Sequence, residues 1–453
     1  MKNYKYILMS VLATLTFSAT AQDFDTDPTL RIDNKEQKVK FTVGARFMAD
    51  AAWYHTDFTP LQSGATITDA RIRTSMSYGE NWYFYADFGF GNGEFSQKNI
   101  FLQYATQNKR NALHAIKAGY YNDPAGSMAR QTSLGSYHFI SRAGMADALG
   151  EGRELGITYK YSSNNLFLYQ GIFTENQYNK IEAGFNGYTL SGRWLYRHME
   201  NNNTFHAGAT VRFAHIGGGE EVDTKGSSVL KKSISLGQTL ETYVDQDEQF
   251  VSCDIPWVNN VIDLGAEAIY VNKDFFVRAE YKHKIVNKTR DSYKIYIASQ
   301  DNIDGWGDID LWETANKLKT NHFNGAYIEA GYKIFGNDYT YNKHDAVLNG
   351  LDGKSLEIVA RFNYSGLNDL TKGEYYSAGR NQYYAAGYLE DYPATGATSV
   401  GGGDIYSTTI GANYSFNKFT QVMLNYTWHH LDKDFLPYDK NIHQVQARLQ
   451  FTF

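Results

Sequence analysis

Between Lys38 and Trp53 the chain alternates without a break. Val39, Phe41, Val43, Ala45, Phe47, Ala49, Ala51 and Trp53 fall on one face of an extended strand; Lys38, Lys40, Thr42, Gly44, Arg46, Met48 and Asp50 fall on the other. Successive side chains of a strand point to opposite faces, so this run predicts a ribbon with one apolar side and one largely polar side. Eight apolar positions in phase over 16 residues far exceed the roughly 5–6 residues usual for a strand in a soluble sheet. The last eleven residues repeat the pattern, with Val445, Ala447, Leu449, Phe451 and Phe453 against Gln444, Gln446, Arg448, Gln450 and Thr452. A soluble sheet blunts an edge strand with a turn or charges. Here the alternation runs through to Phe453, as expected when the last strand closes a barrel against the first.

The same alternation recurs along the chain. Asp69, Arg71, Arg73, Ser75 and Ser77 oppose Ala70, Ile72, Thr74, Met76 and Tyr78; then Trp82, Phe84, Ala86, Phe88 and Phe90 oppose Tyr83, Tyr85, Asp87 and Gly89. Further strands are predicted at about 98–106, 112–121, 153–161, 166–174, 181–198, 203–215, 261–271, 274–286, 323–335, 355–365, 404–416, 419–430 and 441–453. That makes sixteen, an even number, as in single-chain bacterial barrels. The phase slips near Asn186-Gly187, which predicts a bulge, and strand 166–174, aromatic and with large apolar residues on both faces, is not oriented by its pattern. Short Asn-rich connections (Gly79–Asn81, Gln107–Asn111, Ser162–Asn165, Glu200–Asn202, Asn272-Lys273, Asn417-Lys418) alternate with long ones at 54–66, 122–152, 216–260, 287–322 and 366–403. Short turns on one side and long loops on the other are the asymmetry of an outer-membrane barrel. The connection 336–354 breaks the rule, being too long for its side. A soluble sandwich or propeller would explain alternation, but neither the strand length nor the alternating loop lengths.

Hydropathy agrees once both strand faces are counted. The mean hydropathy of −0.49 is that of a water-soluble protein, and no segment offers 18 consecutive apolar residues. Strands facing lipid on one side and water on the other average to such a value. The 36 Tyr, 27 Phe and 7 Trp suit membrane-facing strands, and only 6 Pro suits a long hydrogen-bond ladder. Residues 1–21 read as a signal peptide: Lys2 and Lys5, an apolar stretch from Ile7 to Phe17, then Ala19-Thr20-Ala21 before the cut. Residues 22–36 form a short acidic lead-in, and 37–453 the transmembrane barrel. The single Cys253 excludes an intrachain disulfide framework.

If the apolar face meets lipid, the other lines a pore, and sixteen strands leave an aqueous one. The lumenal register collects Lys40, Arg46, Arg71, Arg73, Arg193, Arg197, Arg212, Arg278, Lys282, Lys333, Arg361 and Arg448 against Asp50, Asp69, Asp87, Asp263, Glu267, Glu280, Glu329 and Glu357. Arginine's planar fork matches phosphate and carboxylate oxygens, so this basic excess favours anions; the plainer alternative is that wall charges pair across strands. The third long loop, 122–152, is moderately apolar and poor in charge. It is expected to fold inward, bringing Arg130 and Arg142 to face Arg71 and Arg73. His429-His430 with Asp432 is no metal site, since adjacent histidines point to opposite faces. Gly217–Glu221 and Asp245–Glu248 read as solvated loop, and Cys253 as an inert thiol.

Three passages carry a family resemblance: Asp69-Ala-Arg-Ile-Arg73; Asn81–Phe88 leading to Gln97–Tyr104; and Ala118–Pro124 running through Phe139-Ile-Ser-Arg142 to Gly152-Arg-Glu-Leu-Gly156. Together they resemble the phosphate-selective porin O and P family, the sixteen-stranded, usually trimeric porins of outer membranes. The resemblance is best over 38–175. It implies an all-β transmembrane antiparallel barrel whose third long loop constricts the pore, passing small anionic or polar solutes. Arg71 and Arg73 match the family's constriction arginines, Arg130 or Arg142 its loop arginine, and Arg46 and Arg212 extend the anion path. Asp69 and Asp87 are departures, and Arg153, in phase with Leu155, Ile157 and Tyr159, points away from the lumen. Expected partners are outer-membrane lipid, two further copies in a homotrimer, and the barrel-assembly machinery through the strand ending at Phe453. No nucleic acid, cofactor, metal or covalent chemistry is expected. The competing readings are a general or sugar-preferring porin, and an outer-membrane adhesin or enzyme built on the same barrel, with 216–260 and 287–322 as partner-binding loops.

Overall fold

The computed structural model describes residues 30–56, 61–91, 94–109, 111–174, 187–200, 203–224, 227–246, 250–289, 318–369, 399–432 and 440–453, with short pieces at 376–378, 382–385 and 388–389. Sixteen long strands form its frame: β1 Val39–His55, β2 Gly64–Tyr78, β3 Trp82–Gly89, β4 Ser96–Gln107, β5 Leu113–Asn122, β6 Arg153–Ser162, β7 Leu166–Thr174 and β8 Tyr188–Glu200. The second half comprises β9 Asn203–His215, β10 Val258–Val271, β11 Phe275–Lys288, β12 Asn321–Phe335, β13 Ser355–Asp369, β14 Ser399–Ser415, β15 Thr420–Asp432 and β16 Asn441–Thr452. Each pairs antiparallel with its neighbour in sequence.

The sheet closes on itself. β16 pairs with β1 from Arg46↔Thr452 to His55↔His443. Ala45 and Phe453 exchange both backbone hydrogen bonds, each 2.9 Å, and the Arg73 guanidinium donates to the Phe453 backbone oxygen at 2.9 Å. A side chain at Gly44 would put its Cβ 2.5 Å from that oxygen, so the seam requires glycine there. Below it, Leu30–Asn34 replaces β16 as the partner of β1, from Leu30↔Val43 to Asn34↔Val39. The signal-peptide residues and the Asn186 end of the expected bulge lie outside the described residues.

The faces follow the predicted register. Phe47, Trp53, Ile72, Met76, Trp82 and Phe84 are exposed on the outside, whereas Arg46, Asp50, Asp69 and Asp87 are buried within. Rings such as Trp82 and Tyr104, edge to face at 5.0 Å, stand at the short-turn end, where outer-membrane barrels carry an aromatic girdle. β7 is also resolved: Leu166 and Ile172 face outward, Phe167, Tyr169 and Phe173 inward. Its inner rings lie under cations, Arg193 at 5.4 Å from Phe167 and Lys160 at 4.9 Å from Tyr169, which explains an aromatic lumenal face opposite an aliphatic outer one.

Three insertions occupy part of the lumen. From the long-loop side come 123–152 and the segment around a hairpin of Ser233–Gln238 with Val251–Pro256, whose tip buries Leu240, Glu241 and Thr242. From the short-turn side comes 336–354, whose unusual length now has a cause. It folds upward as a miniature hairpin, Tyr341–Asn342 with Val347–Leu348, burying Ala346, Val347 and Leu348. Arg193 donates to the Ala346 carbonyl at 2.7 Å, Arg197 to that of Lys343 at 2.6 Å, and Lys160 meets Asp345 at 2.7 Å.

The Lys160 ammonium holds the Asp345 carboxyl well below the usual carboxylate range. A depressed carboxyl stabilises the folded form above the unfolded value, near 3.9, and that contribution is lost as the pH falls through the folded value. Hydrogen exchange across 336–354 is therefore expected to be slow at neutral pH and to open selectively in strong acid. In a Lys160→Met variant the turn should already be loosened at neutral pH, and its extra acid response should vanish.

Candidate permeation site

The inserted loop crosses the barrel and docks on the far wall. Two short helices, α1 Met128–Gln131 and α2 Gly144–Ala148, bracket it. Ser127 caps α1 by accepting from the Ala129 amide and donates to Glu280 at 2.8 Å, while the Met128 amide donates to the same carboxylate at 3.0 Å. Tyr137 donates to Glu329 at 2.7 Å, His138 Nδ1 sits 3.0 Å from Glu357, and the Met145 amide donates to Asn363 at 2.9 Å. Glu241, from the other outer segment, accepts from the Gly144 amide at 2.8 Å and from Arg361 at 2.5 Å. Lumenal carboxylates of β11–β13 are thus occupied in holding the loop.

Its free edge faces β1–β4 across a cavity of about 500 Å³. Seven cationic side chains line it, Arg46, Arg71, Arg73, Lys98, Arg130, Arg142 and Arg153, against three carboxylates, Asp69, Asp87 and Glu94. Of the six arginines expected on the anion path, five therefore gather here. Arg212 does not. It is buried on β9 among Asp123 (3.0 Å), Glu154 (2.6 Å), Asp263 (3.3 Å) and Glu151 (3.6 Å), where its charge is wholly engaged.

The charges in the cavity are not equally compensated. Arg46 pairs with Asp69, Arg71 with Asp69 at 3.2 Å and Asp87 at 2.9 Å, and Arg130 with Asp147 at 3.0 Å. Of the other three arginines, Arg142 and Arg153 donate to neutral oxygens only, among the described residues, and Arg73 to an oxygen of the final residue, which carries a carboxylate charge in the sequence as it stands. Arg73 bonds the Phe453 backbone oxygen, Arg142 the carbonyls of Ala129 (2.9 Å) and Thr132 (3.1 Å), and Arg153 the Asn99 amide oxygen (2.8 Å). Elsewhere in the lumen Arg193, Arg278, Arg361 and Arg448 each meet a carboxylate, and Arg197 is held by backbone oxygens. Among the described residues, positive charge is in excess at this cavity. Partly dehydrated guanidinium groups without counter-charges attract anions by field and by charge-assisted hydrogen bonds.

Two lining cations were not legible as such. Lys98 reaches the cavity because the β3–β4 ladder shifts register between Ala86↔Ile100 and Phe88↔Gln97. The extra residue in β4 is a bulge that turns both Lys98 and Asn99 to the cavity. Arg153, placed outside by its phase, stands at the first position of β6 where the chain leaves the loop, and its guanidinium turns in to Asn99. His429 and His430 do point to opposite faces, His429 to Ser407 at 2.8 Å inside and His430 to Asn441 at 3.0 Å outside.

Comparison with known proteins agrees with the architecture. No curated protein sequence matches the chain significantly. Among solved structures, a loop-deletion variant of OmpT, an outer-membrane protein of Vibrio cholerae, superposes with a TM-score of 0.50 at 9% identity, covering 91% of this chain and 100% of that one. The outer-membrane channel DcaP of Acinetobacter baumannii gives 0.49 at 12% identity, over 93% and 99%. The anion-selective porin of Comamonas acidovorans gives 0.47 at 9%, over 92% and 100%. At such identities the first of these speaks for the fold alone. The family model of the phosphate-selective porins O and P matches residues 41–453; with a closed sixteen-stranded barrel around it, the chain belongs to that family and is an outer-membrane porin.

Proposed function

We propose that the barrel lets small anions diffuse passively across the outer membrane, and that they are drawn to the cavity between the inserted loop and β1–β4. The observation carrying this is that seven cations and three carboxylates line one cavity, and that two of the cations, Arg142 and Arg153, donate to no carboxylate among the described residues. Arg71 and Arg46 add field but share Asp69, so the site attracts an anion without holding it as a fully dedicated receptor would. Conduction needs that balance of entry and release. Phosphate or another small oxyanion suits the guanidinium forks. The proposal includes export by the residue 1–21 signal, insertion through the carboxy-terminal strand, a homotrimer, and no covalent chemistry.

The test is single-channel conductance of the purified barrel in a planar bilayer, with the reversal potential measured under a salt gradient. Stepwise, anion-preferring current that phosphate reduces supports the proposal; a weakly selective current keeps the pore and removes the anion preference. Replacing Arg71 and Arg73 together by Glu should move the reversal potential toward cation preference, and an unchanged value would exclude both from the selective path. Arg212→Met provides the contrast. Ion preference should stay as in the parent, while urea unfolding in lipid vesicles should show a loss of about 3–5 kcal/mol, the usual cost of stranding buried carboxylates.

A further inference from the structure

A second, smaller chamber lies on the short-turn side of the inserted loop. Its volume is about 220 Å³, room for roughly seven waters at about 30 Å³ each. Its walls are polar: Asn349 and Asp352 from the upfolded turn, Asn417 and Gln421 from the β14–β15 connection and β15, and Gln450 and Thr452 from β16. Gln450 Oε1 and Thr452 Oγ1 are buried and meet no hydrogen-bond partner within the protein. Buried polar atoms are ordinarily satisfied, so these two mark a chamber that holds water.

The two chambers meet at one short piece of chain. Ser133 and Leu134 line the arginine cavity, whereas Gly135 and Ser136 line the polar chamber. On the wall, Arg46 of the first chamber is the direct ladder partner of Thr452 of the second. A single 3₁₀ turn, Leu134–Ser136, therefore stands between them. It is held from three sides. Arg46 donates to Ser133 Oγ at 2.9 Å, Gln450 donates to the Gly135 carbonyl at 2.8 Å, and Gly350 backs onto Ser136, where a Cβ would lie 3.2 Å from the Ser136 Cα. Gly135 has little room for a side chain toward the wall, since its Cβ would lie 3.1 Å from Arg46 Cδ and 3.3 Å from Thr452 Oγ1.

We propose that solute crosses the lumen through two chambers in series, and that the Leu134–Ser136 turn is the septum between them. Charge is selected in the outer, arginine-lined chamber. The rate of passage is set at the septum, by Leu134, by Gly135 and by the Gln450 bond that holds the turn to the wall. The inner chamber is a wet, nearly neutral exit formed jointly by the inserted loop and the turn 336–354. This rests on the porin function proposed above, whose selective element lies in the other chamber, so the two separate experimentally.

The experiment is single-channel conductance with reversal potential for the parent, Leu134→Ala and Gln450→Ala, each first shown to be folded by its gel mobility before and after heating. Leu134→Ala should raise conductance about twofold with the reversal potential unchanged, since pore width changes and charge does not. Gln450→Ala should make the current noisier. As a variant that leaves the turn's packing intact until it is probed, Ser136→Cys in a Cys253→Ser background should lose most of its current when a bulky neutral thiol reagent is added from the short-turn side. Conductance unaffected by Leu134→Ala and by the reagent, in a barrel that still conducts and selects anions, would overturn the septum alone. A parent barrel that carries no current would overturn the porin reading and the septum together.

Discussion

Hydrocarbon offers a backbone no hydrogen-bond partner, so a sheet that crosses it cannot have an edge. In this chain that constraint acts at a single seam, where β16 meets β1 and Ala45 exchanges hydrogen bonds with Phe453. Gly44 clears the space and Arg73 reaches across to the same oxygen. The residue that helps close the barrel thus also lines the cationic cavity, which ties the position of one of its cations to the integrity of the ladder. Once closed, the sheet is apolar outside and polar inside, the reverse of a soluble core.

A polar interior creates its own difficulty, because buried charges are costly unless paired. The lumen meets it with long-range matches: Arg193 with Glu267, Arg278 and Arg361 with Glu329, Arg448 with Asp50. Insertions from both ends take up much of what remains. The β11–β13 carboxylates bind the inserted loop, and β8 arginines bind the upfolded turn 336–354 through its carbonyls. With acid on one wall engaged by the loop, the cavity between the opposite wall and the loop's free edge is left with seven cations against three carboxylates. On the proposed reading, selectivity arises from where counter-charges are absent as much as from where cations are present.

Much of this was legible beforehand from particular residues. The phase of Asp69, Arg71 and Arg73 against Ile72 and Met76 put both arginines in the lumen, and the charge-poor composition of 122–152 marked it as a loop that enters; the segment within 216–260 that also enters was read as an outer loop. The same phase rule misplaced Arg153 and overlooked Lys98, since a strand terminus and a one-residue bulge each break the period of two without leaving a pattern in the residues themselves. Strand β7 could not be oriented because its inner aromatics serve cations on β6 and β8, a partnership that a single strand does not display.

The sequence by itself determined the number of strands, the side most side chains take along them, the closure at Phe453 and one of the two long loops that enter. These are local properties, written in an alternation of two and in the length of connections. Only the tertiary structure decided which charges would be neutralised. Arg212 and Arg73 look alike in the sequence, both arginines on lumenal positions of long strands. One meets Asp123, Glu154 and Asp263 from 51 to 89 residues away, and the other is held at the barrel seam by main-chain oxygens of Ala45 and Phe453. The upward fold of 336–354 was decided the same way, by arginines from β8 that have no neighbour relation to it along the chain. Coulombic compensation acts over a few ångströms in space, and nothing in a linear pattern records which distant residues the closed barrel brings within that reach.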